Sequence, residues 1–201
     1  MDSIPFDVSR RDILSSENWI NFTLDIAHNI LNHRIKTIKN FSKEEFNINE
    51  QITRELLGRN IWKYSEAFGK FKGCPFWSVN AYNQFLLMKK QKKSKAECEK
   101  NLRHEHVYPQ ILLIKKLKDL KKPTLNVLEK LFQKYAIATV VTKDENNLLN
   151  KAGLRTSTIS DDNIWLRYNN KNVEIKIKHN PTNNEFLKYH LVKMKKARVL
   201  E

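Results

Sequence analysis

The sequence predicts an α+β fold, predominantly helical, with a small antiparallel sheet or hairpin in its C-terminal half. Three observations predict it. Apolar residues recur at helical spacing through the first half, helix-capping patterns punctuate the chain, and the clearest β-branched runs come only after residue 135. At 201 residues the chain is long enough to bury one core, and no linker or internal repeat divides it. It reads as a single domain over 1–201, helical to about 135 and a small α/β part over 136–201.

In order along the chain, Ile20, Leu24, Ala27, Leu31, Ile35 and Ile38 lie on one helical stripe, with Ser16 as the expected N-cap. Ser42-Lys43-Glu44-Glu45 is a capping box, flanked by Phe41 and Phe46 at staple positions. Gly58 is expected to close that helix. A short helical piece through Ile61, Trp62, Tyr64 and Phe68 then ends near Gly69 or Gly73. Gly73-Cys74-Pro75-Phe76-Trp77 reads as a turn, after which Ser78 caps a helix running out into Lys89, Lys90, Lys92 and Lys93. Pro109 suits the first position of an amphipathic helix over 110–120, and Thr124 caps the next over 125–135. Ala-Ile-Ala-Thr-Val-Val-Thr at 136–142 is the best strand signal, and Thr142 to Glu145 is a second capping box opening a helix closed by Gly153. Residues 163–168 and 173–178 read as strands joined by a polar turn. Thr182 caps a final basic helix carrying Phe186, Leu187, Leu191 and Met194.

Composition removes several classes of function. Two cysteines, Cys74 and Cys98, exclude a disulfide scaffold and a four-cysteine zinc site. Four glycines, with no G-x-x-x-x-G-K or G-x-G-x-x-G, exclude a Walker loop and a standard dinucleotide site, so no nucleotide cofactor is expected. No apolar run reaches membrane length and the N-terminus has no signal-like core, so a cytoplasmic protein without a membrane partner is expected.

Charge is the informative quantity. The net charge is +15, and it is uneven: residues 86–122 carry 12 basic and 4 acidic side chains, and residues 165–201 carry 9 and 3, while residues 1–85 nearly balance. Two such stripes favour a polyanion partner, DNA or RNA, through counterion release. The residues expected to meet it are Arg103, Lys89, Lys90, Lys92, Lys93, Arg167, Lys176, Lys178, Lys193, Lys195 and Lys196. Trp165 and Tyr168 beside Arg167, and Tyr189, add aromatic surface for unstacked bases.

Two constellations point to chemistry. In Arg103-His104-Glu105-His106-Val107-Tyr108-Pro109, two imidazoles flank a carboxylate; on a strand, His104 and His106 point to one side and Glu105 to the other. Glu105-His106-Val107-Tyr108-Pro109 resembles the opening strand of HNH (ββα-metal) nucleases. The resemblance spans about five residues and implies His106 as the base that activates water and Glu105 as ligand to Mg²⁺ or another divalent cation, with His104 beside them and Asn146, Asn147 or Asn150 completing the site. Separately, Asp162, Glu174 and Lys176 resemble the spacing of PD-(D/E)xK nucleases, which implies Asp162 and Glu174 as metal ligands and Lys176 steadying the attacking water. The expected function is therefore a basic nucleic-acid-interacting protein, with a small metal-dependent nuclease as its catalytic form. The alternatives are a non-catalytic RNA, DNA or ribosome binder, including a bacterial antiphage or toxin-type effector, and a homodimeric module with a protein partner.

Overall fold

The computed structural model describes residues 13–38, 41–67, 69–71 and 74–179, the side chains of 13–17 and 179 excepted. Lys193, Lys195, Lys196, Tyr189 and the basic helix expected from Thr182 lie outside the described residues, as do Phe68 and Gly73. The architecture is α+β, as the sequence predicts. Helices α1 (Ile13–Thr37) and α2 (Lys43–Ser65) form an antiparallel pair. The Thr23 carbonyl accepts a hydrogen bond from the Asn60 amide at 2.6 Å, and the Lys63 carbonyl accepts one from the Trp19 indole at 3.0 Å. Ile20, Leu24, Ala27 and Leu31 are buried, so the predicted stripe is the packed face.

Helix α1 begins three residues before Ser16, which therefore lies inside it and not at its cap. The capping box at Ser42 opens α2 as read from the sequence, both reciprocal bonds being present. Gly58 does not end α2. Helix α5 (Gln110–Lys118) packs against it: the Gln110 amide donates to the Gly58 carbonyl at 2.6 Å, and a Cβ at Gly58 would rest in ordinary contact with Gln110 and Ile114. Helix packing supplies what a glycine in mid-helix loses, and α2 runs on through Ile61, Trp62 and Tyr64.

Four strands build a mixed sheet in the order β2-β3-β1-β6. They are β1 (Phe76–Ser78), β2 (Leu102–His106), β3 (Ala138–Thr142) and β6 (Ile177–His179). β1 and β3 are parallel; β2 lies antiparallel to β3, and β6 antiparallel to β1. Two of the strands thus precede residue 136, and β1 occupies part of the segment expected as a turn. Ser78 ends β1 and caps α3 (Val79–Lys90), which covers one sheet face with Trp77, Phe85, Leu102 and Val140. A short helix α4 (Lys95–Glu99) leads into β2. The other face joins the main core with α6 (Leu125–Tyr135), α7 (Lys143–Lys151), Val141 and Tyr168.

The two C-terminal strands are placed differently from expectation. Residues 164–168 form a 3₁₀ turn, Ile164–Tyr168, whose opening amide bonds the Asn163 side chain. The hairpin pairs β4 (Asn169–Asn170) with β5 (Val173–Glu174). The chain then leaves β5 and joins the main sheet as β6, so 173–178 is not one strand. Val173 and Ile175 are buried while Glu174 and Lys176 are exposed, so the alternation persists although the strand is broken.

Candidate nucleic-acid interface

Strand β2 alternates as expected: Leu102, His104 and His106 are buried on one face, with Arg103 and Glu105 half-buried on the other. It forms one edge of the sheet, and α2 ends against it. Trp62 meets both imidazoles edge-on, at 5.0 Å from His104 and 4.9 Å from His106. His106 Nε2 lies 3.2 Å from Ser65 Oγ, whereas among the described residues neither ring nitrogen of His104 has a hydrogen-bond partner of good geometry. Burial, with the neighbouring charges of His106 and Lys70, lowers His104 to about 3. Burial and the Arg167 guanidinium lower His106 to about 4. Both rings are neutral at pH 7.

Glu105 is already engaged. Its Oε1 accepts from Arg167 Nη2 at 2.7 Å, and the same guanidinium donates to the carbonyls of His106 at 2.5 Å and Leu154 at 2.8 Å. Arg167 is only 1% exposed. It is therefore a buried tie between the 3₁₀ turn and β2, a correction to its assignment as a phosphate-binding residue. Burial pushes the Glu105 carboxyl up, against the opposing pull of Arg167 and Arg155.

The residues do not fit the divalent cation that the resemblances imply. Among the described residues no three His, Cys, Asp or Glu side chains gather closely enough to hold an ion. Helix α7, which carries the asparagines, packs through Leu149 with Val141, on the Glu105 side of the sheet. Asp162 is exposed beside Lys134 at 3.9 Å, Glu174 sits on the small hairpin, and Lys176 lies between β5 and β6. Glu174 and Lys176 are both exposed, on the solvent side of that run.

Glu105 and His106 instead line an open cleft of about 800 Å³ between α2, the end of β2, the start of α5 and residues 155–156. Arg54, Arg59 and Lys63 line it from α2, spread around about half of the helix circumference, and Arg155 lines it from the far side. Arg54, Arg59 and Arg155 are exposed and make no hydrogen bond or ion pair among the described residues. Sequence reasoning misses these arginines because residues 1–85 balance overall and because Arg54 and Arg59, five positions apart, do not share a helix face. One balancing acid, Glu50, is in fact consumed by Arg34 and Lys118.

The lysine stripes divide. Lys116 and Lys118 of α5 are paired with Asp161 and Glu50. Arg103 donates to the Lys100 and Leu102 carbonyls at its own strand end. Lys89, Lys90, Lys92 and Lys93 are exposed at the end of α3. Lys178 of β6 lies over the Tyr82 ring of α3 at 3.2 Å, which brings the second basic stretch against the helix that carries the first. Lys93 is ion-paired to Glu97 at 3.6 Å; Lys90, Lys92 and Lys176 have no carboxylate partner among the described residues. Compared with protein-family models, with curated proteins and with solved structures, the chain matches none. Its reading therefore rests on the site itself. Among the described residues no helix is long and apolar enough to cross a membrane.

Proposed function

We propose that this protein binds nucleic acid in the cytoplasm, holding the phosphate backbone on the lysine face formed by the end of α3 and β6. One observation carries the reading: Lys178, from the second basic stretch, lies on Tyr82 of the helix whose last turn carries Lys89 and Lys90 and whose exit carries Lys92 and Lys93. Tyr82 stands in the first turn of α3, roughly 10 Å along the axis from Lys89, so the second basic stretch is held against the helix that carries the first. Charge neutralised within the fold, as at Lys116 and Lys118, is unavailable to a partner; that at Lys90, Lys92 and Lys176 is not so spent.

Lys92 supports the same reading. It sits at φ 57°, in the left-handed region that favours glycine, just past the C-cap Gln91. Its own N–H bonds the Lys89 carbonyl and the next N–H bonds that of Met88, the Schellman arrangement. A lysine there costs about 1 kcal/mol relative to glycine, and that cost is understandable where the ammonium group is used.

Anisotropy titrations on single- and double-stranded DNA and RNA, across salt and with and without Mg²⁺, test the reading. Binding is expected to weaken steeply with salt, and Lys90→Glu with Lys92→Glu to reduce the log–log slope by roughly one for each phosphate no longer neutralised. Affinity indifferent to salt and to both reversals sinks the proposal. Cleavage in the same tubes, abolished by His106→Ala, is the outcome that would make the protein a nuclease.

A further inference from the structure

The cleft at the β2 edge is separate from the lysine face, which reaches the opposite edge of the sheet at β6. Its wall holds four cations, Arg54, Arg59, Lys63 and Arg155, against two carboxylates, Glu55 and Glu105; Lys63 is paired with Glu66 at 3.5 Å, and the charge of Glu105 is met by buried Arg167. Only nine of the 37 basic residues are arginines, yet three of those nine line this one concavity. None of the three makes a hydrogen bond or ion pair among the described residues, so positive charge is concentrated there in excess of what the fold neutralises. Guanidinium groups match phosphate oxygens in paired hydrogen bonds, as lysine does not.

The rest of the wall describes the rest of the ligand. A volume of about 800 Å³ falls in the range of small-molecule sites and is far larger than a lone phosphate needs. Trp62, Ile111 and Ile114 give it apolar surface, with Gln110 and Thr156 as hydrogen-bonding groups. We propose that the cleft binds a phosphate-bearing nucleotide unit, with Arg54, Arg59 and Arg155 on the phosphate and Trp62 beside the base. The unit is either a free nucleotide or the phosphorylated end of a single strand; the chemistry of recognition is the same.

Equilibrium dialysis of the full chain against adenosine 5′-monophosphate, adenosine, inorganic phosphate, and single-stranded oligonucleotides with 5′-phosphate or 5′-hydroxyl ends tests this. Saturable binding of the monophosphate, or of the 5′-phosphorylated oligonucleotide over its hydroxyl counterpart, is expected, and which of them binds identifies the source. Adenosine and phosphate alone should bind more weakly than the two joined. Arg59→Gln and Arg155→Gln should each weaken binding about tenfold, while Lys90→Glu on the other surface leaves monophosphate binding unchanged. The arginines are exposed, so these variants should fold, which circular dichroism checks; Arg54→Gln is the substitute if one does not. Adenosine binding as well as its monophosphate, affinity unchanged in the arginine variants, or no binding by either phosphorylated probe at about 50 mM salt, where screening is weak, would overturn the assignment. Because Lys90→Glu acts on the other surface, its effect on long nucleic acid stands or falls independently.

Discussion

His104 and His106 illustrate how burial decides what a side chain can do. Each would titrate near 6.5 in an unfolded chain, but in the fold His104 is lowered to about 3 and His106 to about 4, burial being the largest cause for both. The unfolded state therefore binds more protons below pH 6.5, so the stability these rings confer is present above that pH and lost as pH falls towards 4. The denaturant midpoint should drop between pH 7 and pH 4.5, and His104→Leu should flatten the drop. His104 is the sharper probe because among the described residues its ring nitrogens lack partners of good geometry: at pH 7 the leucine variant should be neutral or more stable by about 1 kcal/mol. A midpoint independent of pH over that range would contradict the assignment. Arg167 tests the neighbouring tie. Arg167→Leu strands the Glu105 carboxylate and should cost about 3 kcal/mol in chemical denaturation, much of it recovered in the double variant with Glu105→Leu. Equal losses in single and double variants would mean that the ion pair contributes nothing specific.

At the scale of the element, the caps do more than end helices. Glu145 closes the α7 capping box by accepting from the Thr142 N–H at 2.8 Å, and it also accepts from Ser78 Oγ at 2.6 Å and Asn80 Nδ2 at 3.0 Å. One carboxylate therefore joins the start of α3 to the start of α7 across the sheet. Its capping role is readable from the Thr-x-x-Glu pattern; its second role is not, because Ser78 lies 67 positions away. The end of α3 gives a prediction that separates stability from function. Lys92→Gly should raise stability by about 0.5–1 kcal/mol, by relieving the left-handed lysine, and at the same time weaken nucleic-acid binding. A glycine variant that is stabilised but binds unchanged would remove Lys92 from the interface. Loss of stability would show that its side chain packs.

For the whole molecule, two basic surfaces have to be told apart. The lysine face is exposed and suited to a long polyanion, whose affinity should fall steeply with salt. The arginine cleft is concave, and its affinity for a small ligand should depend on fewer counterions and hence more weakly on salt. Titrating a long duplex and a mononucleotide across the same salt series should give clearly different slopes; identical slopes would mean that one surface serves both ligands. The net charge of +15 alone cannot make that distinction. It sums charges that the fold pairs, such as Arg34 with Glu50, with charges that it leaves facing solvent.

Local pattern was enough for the fold class, for the capped starts of α2, α3, α6 and α7, and for the alternation of His104, Glu105 and His106, since caps and periodicity act within a few residues. What local pattern could not supply was where those residues are used. Gly58 reads as a helix stop but lies in mid-helix because α5 packs on it, and Arg167 reads as a surface cation but is enclosed by carbonyls from β2 and Leu154. The arginine cleft was invisible because its members come from residues 54 to 155 and a charge window averages them away. Backbone propensity is settled by neighbours in sequence, whereas the burial of a charge and the partner it meets are settled by neighbours in space, and those exist only once the sheet has brought distant segments together.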